Sequence, residues 1–158
     1  MRTAVALPVA LAFVAGLALS PLAQHLMSEA HAQASAPAGS GLTPMIIDVA
    51  ALKDADLGAT SNPDLRSKGF VATPNGTLSV QIGNVAKHIH NNTDEIQYIV
   101  EGTGTAWLGS EKREIRPVML SVIARGTPHA GTEAISGRFK AIAIKIPPQD
   151  PKDTTFVN

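Results

Sequence analysis

From Phe70 to Ile146 no amphipathic stretch is long enough for a helix, and this constrains the fold more than any other feature of the chain. In its place stand short runs rich in valine, isoleucine and threonine: "FVAT", "TLSVQI", "AKHIH", "EIQYIVE", "GTAWLG", "VMLSVIA" and "FKAIAIKI". Glycine, asparagine and proline separate them, and turn signals recur about every 8–12 residues, the rhythm of an antiparallel sandwich or barrel. No internal repeat is visible, so one barrel is expected. "EGTG" (residues 101–104) and "LGSEK" (residues 108–112) read as tight hairpin turns, because glycine reaches positive φ without strain. On the last run, Ile142, Ile144 and Ile146 are expected as barrel core, with Phe139 and Ala141 on the opposite face.

The flanks differ in texture. "MRTAVALPVALAFVAGLALS" carries Arg2 and then runs apolar from Ala4 to Leu19, short of the ~20 residues that cross a bilayer, with Pro8 inside it. Small residues set up cleavage after Ala32 or Ala34, as in a secretory signal peptide. The expected partition is a leader over residues 1–34, a flexible segment with a strand or loop over 35–69, the barrel over 70–146 and a tail over 147–158. "MIIDV" (residues 45–49) is read as a first strand, and residues 50–69 as loop with one helical turn. The proline-rich "PPQDPKD" cannot continue a central strand, since proline lacks the pairing N–H.

Export places the mature protein in a periplasm or outside the cell, with no stable membrane span. The absence of cysteine removes disulfides and thiolate ligands. The chain carries 13 basic and 13 acidic residues, so nothing draws it at long range to a nucleic acid or an anionic membrane.

Histidine placement carries the chemistry. Of the five histidines, His25 and His31 fall in the leader, which leaves His88, His90 and His129. Two positions apart on a strand, His88 and His90 share a face. The loop "NNTD" then reverses the chain and the next strand opens with Glu95. The imidazoles and the carboxylate converge if both strands line one interior, and His129 must arrive from a separate hairpin. Three neutral imidazoles with one carboxylate suit Mn, Fe, Ni, Cu or Zn and leave coordination positions open.

These residues resemble the cupin superfamily, small β-barrels with a first motif G-x5-H-x-H-x3–4-E-x6-G. Here His88, His90, Glu95 and Gly102 fall at its spacing, with Gly83 one residue closer to His88 than the motif has it. The second motif, G-x5-P-x-G-x2-H-x3-N, is partial: Gly126 and His129 match, with Pro128 in the turn, while Ala124 replaces the proline and Glu133 the asparagine. The resemblance covers roughly residues 70–146. It implies a double-stranded β-helix (jelly-roll) barrel, a homodimer, and one divalent transition metal ion on His88, His90, Glu95 and His129.

By period-2 counting Gln97 shares the face of Glu95, and Tyr98 lies opposite. Gln97 is a candidate substrate-binding amide. Glu133, four residues beyond His129 in a loop-like "AGTEAISG", is a candidate acid or base beside Glu95. Arg125 reads either as an exposed residue beside a hairpin or as a carboxylate binder, Asp94 as a turn residue, and Trp107 and Phe139 as core aromatics. The expected function is a metal-dependent enzyme acting on a small organic molecule, with an oxygenase first and a decarboxylase, isomerase or lyase after it. The alternative is a non-catalytic periplasmic protein that binds metal or a small ligand.

Overall fold

The computed structural model describes residues 41–157. The expected leader and its cleavage point lie outside that range. A 3-10 turn at Asp54–Asp56 precedes nine strands among the described residues: β1 (Gly58–Ala59), β2 (Leu65–Thr73), β3 (Gly76–Gly83), β4 (His88–Ile89), β5 (Asp94–Leu108), β6 (Glu111–Ile115), β7 (Leu120–Ile123), β8 (His129–Ile146) and β9 (Thr155–Phe156). Every pairing is antiparallel, and no described residue is α-helical, as the texture predicts. The long strand β8 organises the sheet. Its second half runs between β3 and β5, and His129 at its start lies between β5 and β4.

Alternation along β8 decides what is inside. Phe139, Ala141 and Ala143 are buried, and the first two cluster with Ile99 and Ile115. The expected isoleucine core is corrected here. Ile146 is 46% exposed, and Ile142 packs on the other face against Leu57, Val80 and Ile82. Register explains the inversion. Ala143 and Ala141 stand opposite Gln97 and Ile99 of β5, on the face of Glu95, where small side chains leave room for a cavity. The bulkier isoleucines clad the outside, part of which Val49 and Leu52 cover.

Other expectations also change. "MIIDV" forms no strand, and Ile46 is fully exposed. Pairing starts before residue 70: "LRSKG" reads as loop from its charge and glycine, yet Leu65–Gly69 zip onto Gly83–Ser79. "EGTG" does not reverse the chain. It bends a single strand through register shifts against β8, and Gly102 takes φ +88° where a Cβ would lie 2.7 Å from the Arg138 carbonyl oxygen. "AGTEAISG" likewise belongs to β8 rather than to a loop. The "LGSEK" hairpin forms as expected, with Gly109 at φ +64° in the two-residue loop between Leu108 and Glu111. β8 ends before Pro147, but the tail is not idle: Thr155 and Phe156 return as β9 beside β4.

Candidate metal centre

The two-residue spacing of His88 and His90 works as expected, because β4 is extended. His129, the first residue of β8, stands directly opposite His88. The His88 ring centroid lies 4.7 Å from that of His90 and 4.2 Å from that of His129. Glu95, the second residue of β5, completes the group. All four side chains are buried, and one candidate donor atom from each falls within 4.8 Å of the others.

The hydrogen bonds orient the rings. The Nδ1–H groups of His88, His90 and His129 donate to the main-chain carbonyls of Ala86, Asp153 and Thr127, at 2.8, 2.8 and 2.9 Å. A carbonyl can only accept, so each neutral ring carries its proton on Nδ1 and turns a bare Nε2 lone pair inward. The inward atoms crowd: Nε2 of His90 lies 3.2 Å from both His88 Nε2 and Glu95 Oε2. His129 Nε2 lies 3.4 Å from the same Glu95 oxygen and has no hydrogen-bond partner. That short approach is not a neutral hydrogen bond, since lone pair faces lone pair. A buried, unpaired acceptor is costly, and a cation among the four donors satisfies all of them together. The residues therefore fit a divalent transition ion.

Charge agrees with this geometry. Burial pushes the His88 imidazole down to about 4, more than its bond to Ala86 raises it, so the ring is neutral at pH 7. Burial alone would raise the Glu95 carboxyl. The Lys145 ammonium and the Gln97 amide pull against it and favour the carboxylate. Gln97 donates to Glu95 Oε1 at 2.8 Å, which leaves Oε2 to the imidazoles.

Two contributors escape a sequence reading. Lys145 continues the inward row Phe139, Ala141 and Ala143, directly opposite Glu95. Its ammonium lies 3.4 Å from His90 Nε2 and 3.8 Å from Glu95 Oε2, and it donates to the Gln149 amide oxygen. Burial pushes its pKa down against the opposing pull of Glu95 and Asp153. The period-2 rule could have found it, given the correct inward parity. The tail is the second contributor. Besides the Asp153 carbonyl on His90, the Asp153 carboxylate accepts from the main-chain N–H groups of Asn91 and Asn92 at 2.9 and 3.0 Å, which shapes the loop between the ligands.

Other candidates lie apart. Glu133 is largely exposed and pairs with Lys112 at 2.8 Å, so the structure does not bring it to the cluster. Arg125 is clamped onto Asp94 at 2.7 Å, and its hydrogen bonds push the Asp94 carboxyl down to about 2. It is thus the exposed residue of the plainer reading. Tyr98 lies on the outer face. Phe139 is core, whereas Trp107 is half-buried with the Lys87 ammonium 4.2 Å from its ring centre.

The cluster opens on a cavity of about 300 Å³ walled by Ser67, Gln81, Gln97, Lys145, Gln149 and Phe156. A smaller one of about 190 Å³, lined by Ile99, Ile115 and Ile123, reaches His129 from the other side. A larger open groove of about 620 Å³ runs past Asn84, Lys87 and Trp107 but touches none of the four donors, so size does not locate the chemistry here.

No protein-family model matches the chain, and no curated protein does. Solved structures do. A protein from Klebsiella pneumoniae with a double-stranded β-helix domain is 12% identical at a TM-score of 0.58, over 73% of this chain and 99% of that one. Ectoine synthase from P. lautus is 18% identical at 0.53, over 72% and 91%. The nucleoside dehydratase Pac13 of Streptomyces is 13% identical at 0.53, over 67% and 88%. At these identities the likeness is one of fold, the double-stranded β-helix.

Proposed function

We propose that this chain, a cupin by fold, is an exported metal-dependent enzyme acting on a small polar organic molecule. One observation carries the reading: four buried donors meet, one of them an unpaired lone pair, and three of the four line a cavity with polar and apolar walls. A purely structural site would be closed by protein on all sides, whereas His88, His90 and Glu95 all line this cavity. The enzymes among its structural neighbours support catalysis over storage.

A divalent ion held by His88, His90, Glu95 and His129 would supply Lewis-acid polarisation of a substrate oxygen. The chain does the rest. Gln97 fixes the Glu95 carboxylate, the main-chain carbonyls hold the imidazole protons on Nδ1, and Lys145 offers N–H groups to an oxygen that gains charge. Phe156 and Pro151 of the tail contribute to the cavity wall. Lys145 beside the donors favours polar chemistry, of the lyase or isomerase kind. The oxygenase expected from the ligand set is the second reading, and the same four donors serve it. Homodimerisation and a mature N-terminus after Ala32 or Ala34 complete the proposal.

Metal analysis tests it. Wild-type protein purified without chelator should carry about one transition ion per chain, and His90→Ala and His129→Ala should each carry less than about a tenth of that while circular dichroism stays β-rich. Equal metal in the variants would remove the site. In the loaded protein, oxygen uptake with substrate separates the oxygenase from the lyase.

A further inference from the structure

The cavity beside the donors has a charge imbalance that points to what fills it. Its lining residues include one carboxylate, Glu95, and one ammonium, Lys145; apart from the two histidines the rest are amides, hydroxyls and apolar groups. A divalent ion would add two positive charges against that single negative one. A further carboxylate that acts on Lys145, Asp153, is taken up by the N–H groups of Asn91 and Asn92 and the Asn92 amide. Even counting it, the cavity keeps an excess of positive charge, and buried charge without a counterpart is expensive.

Lys145 adds a geometric reason. Two of the acceptors it faces, His90 Nε2 at 3.4 Å and Glu95 Oε2 at 3.8 Å, are the atoms a metal would engage. Once those lone pairs are committed, Lys145 keeps the Gln149 oxygen and has N–H groups left for the cavity. An ammonium next to a ligand carboxylate, with spare donors in the wall of a cavity, is the arrangement that captures an anion.

We infer that the cavity binds a small organic acid as its carboxylate, with Lys145 as the anchoring residue beside the metal centre. This rests on the metal-dependent reading above. The volume of about 300 Å³ equals roughly ten water molecules of liquid volume, which sets the acid at metabolite size. Leu65, Val85 and Phe156 give it an apolar wall for a short carbon skeleton, and Gln81 a polar partner for a further oxygen.

The test uses the full mature protein loaded with Mn(II). Manganese binding is measured first, by electron paramagnetic resonance. Acetate, oxalate, malonate and L-malate are then titrated calorimetrically against dimethyl malonate and dimethyl malate. At least one acid should bind below about 1 mM, and malonate or L-malate at least 30-fold tighter than its dimethyl ester. Lys145→Gln should weaken that acid at least tenfold with manganese retained, and Lys145→Arg should restore most of the loss. Failure of both manganese and zinc to bind would overturn the metal reading itself. With either ion bound, the inference alone is overturned if no acid binds, if acid and ester bind alike, or if Lys145→Gln binds the acid as wild type does. Should Lys145→Gln lose manganese, the acid-against-ester comparison on wild type decides.

Discussion

Deleting residues 149–158 should cost metal affinity without dismantling the barrel. The segment supplies the Asp153 carbonyl that accepts the His90 Nδ1–H at 2.8 Å. His88 and His129 keep their anchors, because Ala86 and Thr127 lie outside the tail. One ring of three is thus set free to rotate and to change tautomer, and β4, which carries His88, loses its pairing with β9. Loss of such a partner behind a metal-bound histidine typically costs 10–100-fold in affinity, about 1.4–2.7 kcal/mol. His90 loses the Asp153 acceptor of its Nδ1–H, so a loss within that range is expected. The assay is competition for Zn(II) or Mn(II) against a chromophoric chelator, after circular dichroism has shown the truncated chain folded. Asp153→Asn is the control: it keeps the main-chain carbonyl and should change affinity less than about threefold. A folded truncation with wild-type affinity would refute the assignment of His90 to the tail. An equal loss in Asp153→Asn would shift the role from the carbonyl to the carboxylate.

Two further outcomes are expected. In the metal-free protein, burial depresses His88 to about 4 from 6.5, so the unfolded chain takes up the proton first; stability is complete above about pH 6.5 and falls by up to about 3 kcal/mol as pH drops toward 4. Urea midpoints at pH 7.5 and 4.5 measure this, and coincident midpoints would contradict a buried neutral His88. Gly102→Ala should destabilise by about 2–4 kcal/mol, since its Cβ would sit 2.7 Å from the Arg138 carbonyl oxygen at φ +88°; a loss under about 1 kcal/mol in urea denaturation would show that the bulge can relax.

The donors were legible because strand geometry converts a two-residue spacing into a shared face, because Glu95 opens a run that reads as a strand, and because His129 falls at its place in the second motif. What the strands do between those points was less so. Glycine at positive φ serves a hairpin and a bulge alike, so "EGTG" and "LGSEK" look the same until pairing separates them. In "FKAIAIKI" either parity can face inward. Hydrophobicity favours the isoleucines, but the register to Gln97 and Ile99 puts the alanines inside, and Lys145 becomes visible only once that choice is made. The tail reads as loop throughout, and its role depends on Asp153 meeting Asn91 and Asn92 some sixty positions earlier, a contact no local pattern encodes. Glu133 was attractive for its distance in sequence from His129, but register shifts along β8 decouple that count from distance in space.

All three imidazoles donate their Nδ1–H to peptide oxygens. Replacing Ala86, Thr127 or Asp153 by another residue leaves the atom that does the work in place. Point substitutions behind the rings thus have little purchase on how they are aimed. Drift at those positions can proceed while the donor geometry persists, and a protein engineer who wishes to retune the centre must reroute the chain, by insertion, deletion or proline, rather than repaint its side chains.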